Sequence, residues 1–294
     1  MKQKTSGHDL VLMAFIYTLA VLMLLAVLYP MYFIVIASFS DPVAVNTGRV
    51  FVLPAMLTLE GYTTLLETGY IMGGYFNTIL YTAAGTFIGL AVNLPAAYAL
   101  SRKDFIGRKF FNLYFIFTMF FSGGLIPTYL TIQQFGLLNT FTVMVLPFSV
   151  AVYHILVART FFSNSLPPGL FDAARVDGCG NLRFFFIIAL PLSKAVIAVI
   201  ALWTAVGHWN SYFNALIYLR EQSRMPLQII LRDILILNQN LATLLRGETA
   251  VKAQRTASLI KYASIIVSAA PIMCLYPFIQ KHFNQGVLVG AVKG

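Results

Sequence analysis

From Phe110 to Ala158 the chain reads FFNLYFIFTMFFSGGLIPTYLTIQQFGLLNTFTVMVLPFSVAVYHILVA, forty-nine residues without one Asp, Glu, Lys or Arg. About 20 apolar residues in a helix cross the roughly 30 Å of bilayer hydrocarbon, so this stretch has room for two crossings. Gln133, Gln134, Gly136 and Asn139 form the polar cluster where a short turn fits. Working outward with the same length rule gives six predicted spans, at 10–37, 75–100, 110–130, 141–162, 184–206 and 262–279. The expected fold is an all-α polytopic membrane protein, a single transmembrane domain over 1–294 with six transmembrane helices.

Composition points the same way. Of the 294 residues 59% are hydrophobic and 10% charged, and the mean hydropathy is +0.79. A soluble domain carries about 25% charged residues, so this chain could not cover its own apolar surface in water. The net charge of +10 raises nucleic acid as a partner, but the basic residues form no tail or stripe. No nucleic acid is expected. The basic residues lie between the apolar runs, where they orient a multi-pass protein. With the N-terminus inside, the inner segments hold Lys2, Lys4, Arg102, Lys103, Arg108, Lys109, Arg159, Arg175, Arg183, Lys194, Lys281 and Lys293, while the segment after the first span has only Arg49. Both termini are therefore expected in the cytoplasm. Segment 207–261, read as an outer loop, carries seven basic residues, an excess that long loops tolerate. Lys2 and Lys4 before an apolar run imitate a signal peptide, but the run continues to Ala37 without an A-x-A-type site and reads as a retained span.

The spans lack the groups that chemistry in a membrane needs. Their only charged residues are Arg159 and Lys194, each near an inner end where it can snorkel to the interface. No carboxylate sits at membrane depth, which opposes a proton relay, a paired-Asp protease and any catalytic centre. His154, alone in its span, reads as hydrogen-bonded packing. Cys179 and Cys274 stand far apart without partners at metal-ligand spacing, so no metal site or disulfide framework is expected. Pro30, Pro95, Pro147, Pro271 and Pro277 each remove a backbone donor and favour a kink, either as packing irregularity or as a hinge. There is no G-x-x-x-x-G-K-[ST] phosphate loop. Energy for active transport would have to come from another polypeptide. A sodium-coupled secondary carrier using backbone carbonyls is the alternative, and an uncoupled channel a third. Both need related halves or symmetric oligomers, and no internal repeat is visible.

Between the fourth and fifth spans lies SLPPGLFDAARVDGCGNLRFFFIIALPLSK, Ser165 to Lys194. Pro167 and Pro168 suit a helix start, having no amide hydrogen to satisfy. Asp172 is expected in the first turn, where the macrodipole favours an acid. Ala173 and Ala174 offer a smooth surface, and Gly178 fits the position that ends a helix. The expectation is a short helix, a tight break and a second helix at the inner membrane face. A surface helix with no further role accounts for the same residues.

A resemblance adds to this. Asp172-Ala173-Ala174-x-x-Asp177-Gly178, then Phe185 and Leu190-Pro191-Leu192, resembles the EAA loop of binding-protein-dependent ABC importer permeases. That pattern has Glu where Asp172 stands, Ala where Cys179 stands and Pro where Ala195 stands. Ile126-Pro127-Thr128-Tyr129-Leu130, Trp209-Asn210-Ser211-Tyr212-Phe213-Asn214 and the end Gly290-Ala291-Val292-Lys293-Gly294 are similar to segments of the maltose-permease-like sugar importers. Within that branch the likeness is to subunits serving complex polysaccharide fragments, alginate and pectin-derived uronides among them.

The resemblance implies a type I ABC importer transmembrane fold in a bacterial cytoplasmic membrane. It implies a second homologous permease chain, two ATPase subunits underneath, an extracellular solute-binding protein and an oligosaccharide substrate, an acidic one among those in view, with membrane lipid around the spans. ATP and Mg would sit on the ATPase, and this chain would bind no cofactor. Segment 165–183 becomes the coupling loop, with Asp172, Ala173, Ala174, Asp177, Gly178 and Arg183 at the ATPase contact. Sugars are bound by aromatic faces and side-chain amides, so Asn77, Trp209, Asn210, Tyr212 and Asn214 are candidates for the substrate path. An interfacial aromatic belt and helix–helix hydrogen bonding account for them equally well.

Overall fold

A computed structural model describes residues 7–67 and 69–291. Lys2, Lys4, Val292, Lys293 and Gly294, on which part of the orientation and of the C-terminal likeness rests, lie outside them, as do the side chains of Pro277 and Lys281. The longer helices in chain order are α1 (Gly7–Ser38), α2 (Ile71–Ser101), α3 (Arg108–Phe120), α4 (Leu125–Gln134), α5 (Val152–Ser165), α6 (Pro168–Val176), α7 (Lys194–Trp209), α8 (Leu227–Leu244) and α9 (Glu248–Ala291). Among the described residues there is no strand, only an isolated bridge between Ser40 and Leu57. Two compact units divide the chain, 1–68 with 233–270 and 69–232 with 271–294.

The six apolar segments are not six straight rods. α1, α2 and the 248–274 part of α9 are long and apolar enough to cross a bilayer unbroken. The segment predicted at 110–130 bends by 112° between α3 and α4. The bend falls at Phe121-Ser122-Gly123-Gly124, where Gly124 takes a φ of 83°. The segment predicted at 184–206 bends by 84° before α7. There a π-helical turn at Phe185–Ala189 precedes Pro191, whose ring and missing N–H disrupt the ordinary ladder. The segment predicted at 141–162 is interrupted between a short helix Phe141–Val145 and α5, around Pro147. Segment 207–261, expected as a loop, is instead largely helical, holding Tyr212–Tyr218, α8 and the start of α9. Hydropathy marked only the apolar part of α9, because Lys252, Arg255 and Lys261 lie on its first turns.

In the unit built around 69–232, α2 is the axis. Its buried side carries Gly74, Thr78, Tyr81, Gly85, Gly89, Asn93 and Ala97 at spacings of three to four, one face of a helix. A Cβ added at Gly85 would stand 2.3 Å from Nε2 of His208, so the absence of a side chain is what lets α7 approach. Asn93, fully buried, donates to the Ser149 carbonyl at 3.1 Å and accepts from the Ala151 N–H at 3.3 Å. Those are backbone groups freed by the break before α5, and apolar surroundings would otherwise leave them unpaired. Ser149 Oγ lies 3.2 Å from His208 Nε2, closing the same knot.

The unit containing 1–68 and 233–270 is tied by side chains. Asp41 caps the short helix Pro42–Asn46 by accepting from the Val43 N–H at 2.8 Å. Arg255 reaches both Asp41, at 2.9 Å, and Glu60, at 2.7 Å. Tyr62 donates to Ser38 Oγ at 2.7 Å, and Phe33 meets Tyr262 edge-on at 6.4 Å.

Candidate coupling site

Pro167 is the N-cap of α6 and Pro168 its first residue. Proline there loses no hydrogen bond, and its fixed φ suits the first turn. Asp172 is consequently the fifth residue of α6, past the first turn where it was expected. At the other end Gly178 takes a φ of 77°. Its N–H donates to Arg175 at 3.1 Å and that of Cys179 to Ala174 at 2.8 Å, a paired closure that satisfies the last carbonyls.

The two sides of α6 differ. Phe171 and Ala174 are buried at 7% and 8% exposure, whereas Asp172, Ala173, Arg175, Asp177 and Gly178 are exposed. The two alanines therefore do not form one smooth outer surface: Ala174 belongs to the core. Phe171 meets Phe184 edge-on at 5.2 Å. Tyr98, near the end of α2, completes the cluster, 6.3 Å from Phe184, 5.1 Å from Phe185 and 5.8 Å from Phe162. Such ring pairs add about 0.5–1.5 kcal/mol each beyond their burial. α6 is thus pinned through aromatic side chains to α2, to α5 and to the helix that follows it.

A polar contact reinforces the rings. Arg102, the residue at which α2 ends, places its guanidinium 3.1 Å from the centroid of the Phe171 ring. Its Nε and Nη2 donate to the two carboxylate oxygens of Asp104, each at 3.0 Å. The Arg102 hydrogen bonds hold the Asp104 carboxyl below the usual carboxylate range, against a smaller opposing effect of burial, with Arg175 adding to the pull. A groove of about 320 Å³ runs beside them, lined among others by Lys103, Arg108, Asp172 and Arg175. Arg183 is exposed on the short helix Asn181–Phe184.

The five substrate-path candidates differ in exposure and in partners. Asn77 donates to the carbonyls of Ser223 and Met225 at 2.8 and 3.1 Å. Trp209 is buried, 6.4 Å from the Tyr75 ring. Asn210 and Tyr212 are exposed, and Asn214 is half-buried. Phe171, Tyr98 and Asn93 were not singled out in the sequence, while Arg102 entered there only as an inner basic residue and Asn139 only as part of the polar turn.

The chain matches the family model described as "Binding-protein-dependent transport system inner membrane component" over residues 66–289. The Bacillus subtilis protein LplC is 38% identical, over 90% of this chain and 89% of its own. The Bacillus subtilis polygalacturonan/rhamnogalacturonan transport system permease protein YtcP is 35% identical, over 95% of this chain and 97% of its own. Among solved structures, a bacterial ABC transporter involved in the import of the acidic polysaccharide alginate superposes with a TM-score of 0.84, at 31% identity, over 96% of this chain and 100% of that one. The bent apolar helices, the pinned α6 and these likenesses converge: the chain belongs to the binding-protein-dependent transport system inner membrane components, as a multi-pass permease subunit with the type I ABC importer fold and not as an enzyme.

Proposed function

We propose that this chain is one of two homologous permeases in an ATP-driven importer of the bacterial cytoplasmic membrane, receiving an oligosaccharide from an extracellular solute-binding protein. The observation that carries the reading is the two-sided α6, buried through Phe171 and Ala174 and exposed at Asp172, Ala173 and Asp177. A helix held so firmly on one side and bare on the other suits a docked partner. In this reading two ATPase subunits, each holding ATP and Mg, seat α6 in a cleft, with Asp172, Ala173, Asp177, Gly178 and Arg183 at or beside the contact and Ala174 behind it. Closure of the ATPases moves α6 as a rigid body, and the aromatic cluster passes the displacement to α2 and α5.

An acidic oligosaccharide is the substrate class we favour. The similar proteins include a polygalacturonan/rhamnogalacturonan transport permease and a transporter involved in alginate import. Segment 207–261 contains seven Lys and Arg against Glu221, Asp233 and Glu248, and positive charge there raises the encounter rate of an anion. Of the substrate-path residues, Asn210, Tyr212 and Asn214 are the ones with exposed or partly exposed side chains that no contact described above engages.

Purification of the tagged chain from its native membrane tests the assembly: a second, different permease and an ATPase co-elute, and uptake in vesicles requires ATP. A chain that elutes alone and drives uptake from a sodium gradient would return the reading to a secondary carrier. A panel of neutral and uronide oligosaccharides presented with the binding protein then reads the substrate class.

A further inference from the structure

We propose that Arg102 is a positioning residue for α6, coupling its movement to α2 through one flat guanidinium that binds Phe171 on its face and Asp104 along its edge. The inference rests on the coupling role given to α6 above. The geometry is specific. Arg102 ends α2, so its side chain leaves from the end of the helix that organises its unit. The guanidinium carbon Cζ lies over the Phe171 ring, 3.1 Å from its centroid. The edge makes two parallel 3.0 Å bonds to the carboxylate of Asp104. Asp104 in turn lies in the groove that Asp172 and Arg175 of α6 also line. The Arg102 side chain is only 22% exposed, so the stack is shielded from water on most sides.

Arginine is the side chain that can do both things at once. Its planar fork matches a carboxylate bidentately while its π face stacks on a ring; a lysine ammonium is a compact point charge that can do one or the other. The aromatic cluster behind Phe171 holds α6 by ring contacts, and Arg102 adds a polar anchor to the same ring. A stacked and forked cation restricts the ring in two directions. Phe171 is therefore held in register with the end of α2 when α6 is pushed, and the push reaches α2 instead of rotating α6 in place.

The assembled importer, with its second permease, ATPase and binding protein, is reconstituted carrying Arg102→Lys, Phe171→Leu or both. Two quantities are read: ATPase retained on purification, and oligosaccharide imported per ATP hydrolysed. Arg102→Lys is expected to retain ATPase as the wild type does while import per ATP falls about five-fold, the scale of a partly desolvated cation–π contact. Phe171→Leu, which keeps apolar bulk but removes the ring, is expected to fall similarly, and the double variant no further than the larger single loss, because both remove one interaction. Wild-type import per ATP in Arg102→Lys, or losses that multiply in the double variant, would overturn the proposal. So would loss of ATPase from Arg102→Lys, which would make Arg102 a docking contact. Asp172→Lys on the exposed side separates the two readings. If it sheds ATPase while Arg102→Lys behaves as wild type, only the positioning role falls; if it too behaves as wild type in both readouts, the coupling role of α6 falls and takes this inference with it.

Discussion

The side-chain amide of Asn77 donates to the backbone carbonyl of Ser223 at 2.8 Å, fastening α2 to the segment that leads into α8. The attachment is multiple. Asn77 also reaches Met225, Tyr81 donates to the Arg224 carbonyl at 2.8 Å, and Thr78 Oγ1 accepts the Leu227 N–H at 2.8 Å. Asn77 is thereby a strap across 223–225, with its side-chain amide donating to backbone carbonyls.

The first prediction follows from that strap. Asn77→Leu keeps the volume and removes both donors, leaving two carbonyls to find other partners at a cost of about 1–3 kcal/mol. Limited proteolysis should cut faster within 219–226 in the variant. The apparent Km for sugar should stay within about two-fold, since a net loss of 1.4 kcal/mol in binding would be about ten-fold. A large Km increase with unchanged proteolysis would restore Asn77 to the substrate path.

The second prediction concerns Gly178. No atom lies within 4 Å of the position a Cβ would occupy, so the cost of a side chain there comes from backbone conformation alone. At a φ of 77° a β-branched residue is strained by about 1–2 kcal/mol, whereas Asn visits this region readily. Gly178→Val should insert normally and lose uptake, and Gly178→Asn should retain most of it. Equal uptake by both, at matched expression, would mean that the end of α6 does not matter to transport.

Much of the fold was legible because transfer of apolar side chains from water dominates a membrane protein's energetics, and hydropathy reads that quantity directly. The same quantity is blind to breaks inside an apolar run. Ser122-Gly123-Gly124 and Pro147 sit in segments whose hydropathy hardly changes there, and whether the chain bends depends on a distant group such as Asn93 being available for the freed backbone. The helical punctuation of α6 could be read from Pro168 and Gly178, since both act locally. Its anchoring could not. Arg102 and Phe171 belong to different cytoplasmic segments, and only the packing of α2 against α5 and the helix after α6 brings them together.

The knot at His208 gives the third prediction. Gly85→Ala would drive a methyl group into the His208 ring, at 2.3 Å from Nε2 and 2.5 Å from Cδ2. Overpacking of this kind costs about 1–3 kcal/mol. The ring cannot swing freely because it is buried and lies against Ser149. The loss in Tm caused by Gly85→Ala should therefore be smaller in a His208→Ala background than in the wild type. Equal losses in the two backgrounds would show that the clash is relieved elsewhere.

The fourth concerns pH. Burial alone would raise the Asp41 carboxyl, but the Val43 N–H and Arg255 outweigh it and hold the group below its ordinary value. A depressed carboxylate contributes stability that is present above its unfolded value of about 3.9 and is lost as pH falls through the lower folded value. Asp41→Asn should cost about 1.5 kcal/mol at neutral pH, the lower end for charge-assisted bonds, because Arg255 is 37% exposed. Thermal melts at descending pH should show the wild type and Asp41→Asn converging in the acid range. A gap that stays constant to the acid limit would place the effect in the helix cap alone.

The last prediction separates two arginines of one segment. Arg224 donates to the Asn139 carbonyl and pairs with Glu221 at 2.8 Å, so its fork holds the segment against the turn at Asn139. Asn139, at a φ of 55°, also accepts the backbone N–H groups of Arg220 and Glu221 at 3.0 and 3.1 Å. The backbone of Arg220 is thus fixed while its side chain is exposed. A fixed backbone with an exposed guanidinium is suited to meeting a carboxylate bidentately. Arg224→Gln should lower uptake of a neutral and an acidic oligosaccharide of similar length by the same factor, since it loosens the segment for both. Arg220→Gln should lower uptake of the acidic sugar selectively, by about three- to ten-fold at low salt. That selectivity should shrink as ionic strength rises, because exposed charges are screened over about 8 Å at physiological salt. Equal losses for the two sugars with Arg220→Gln would move the charge to docking of the binding protein, and no loss for either would leave it as surface charge without a part in uptake.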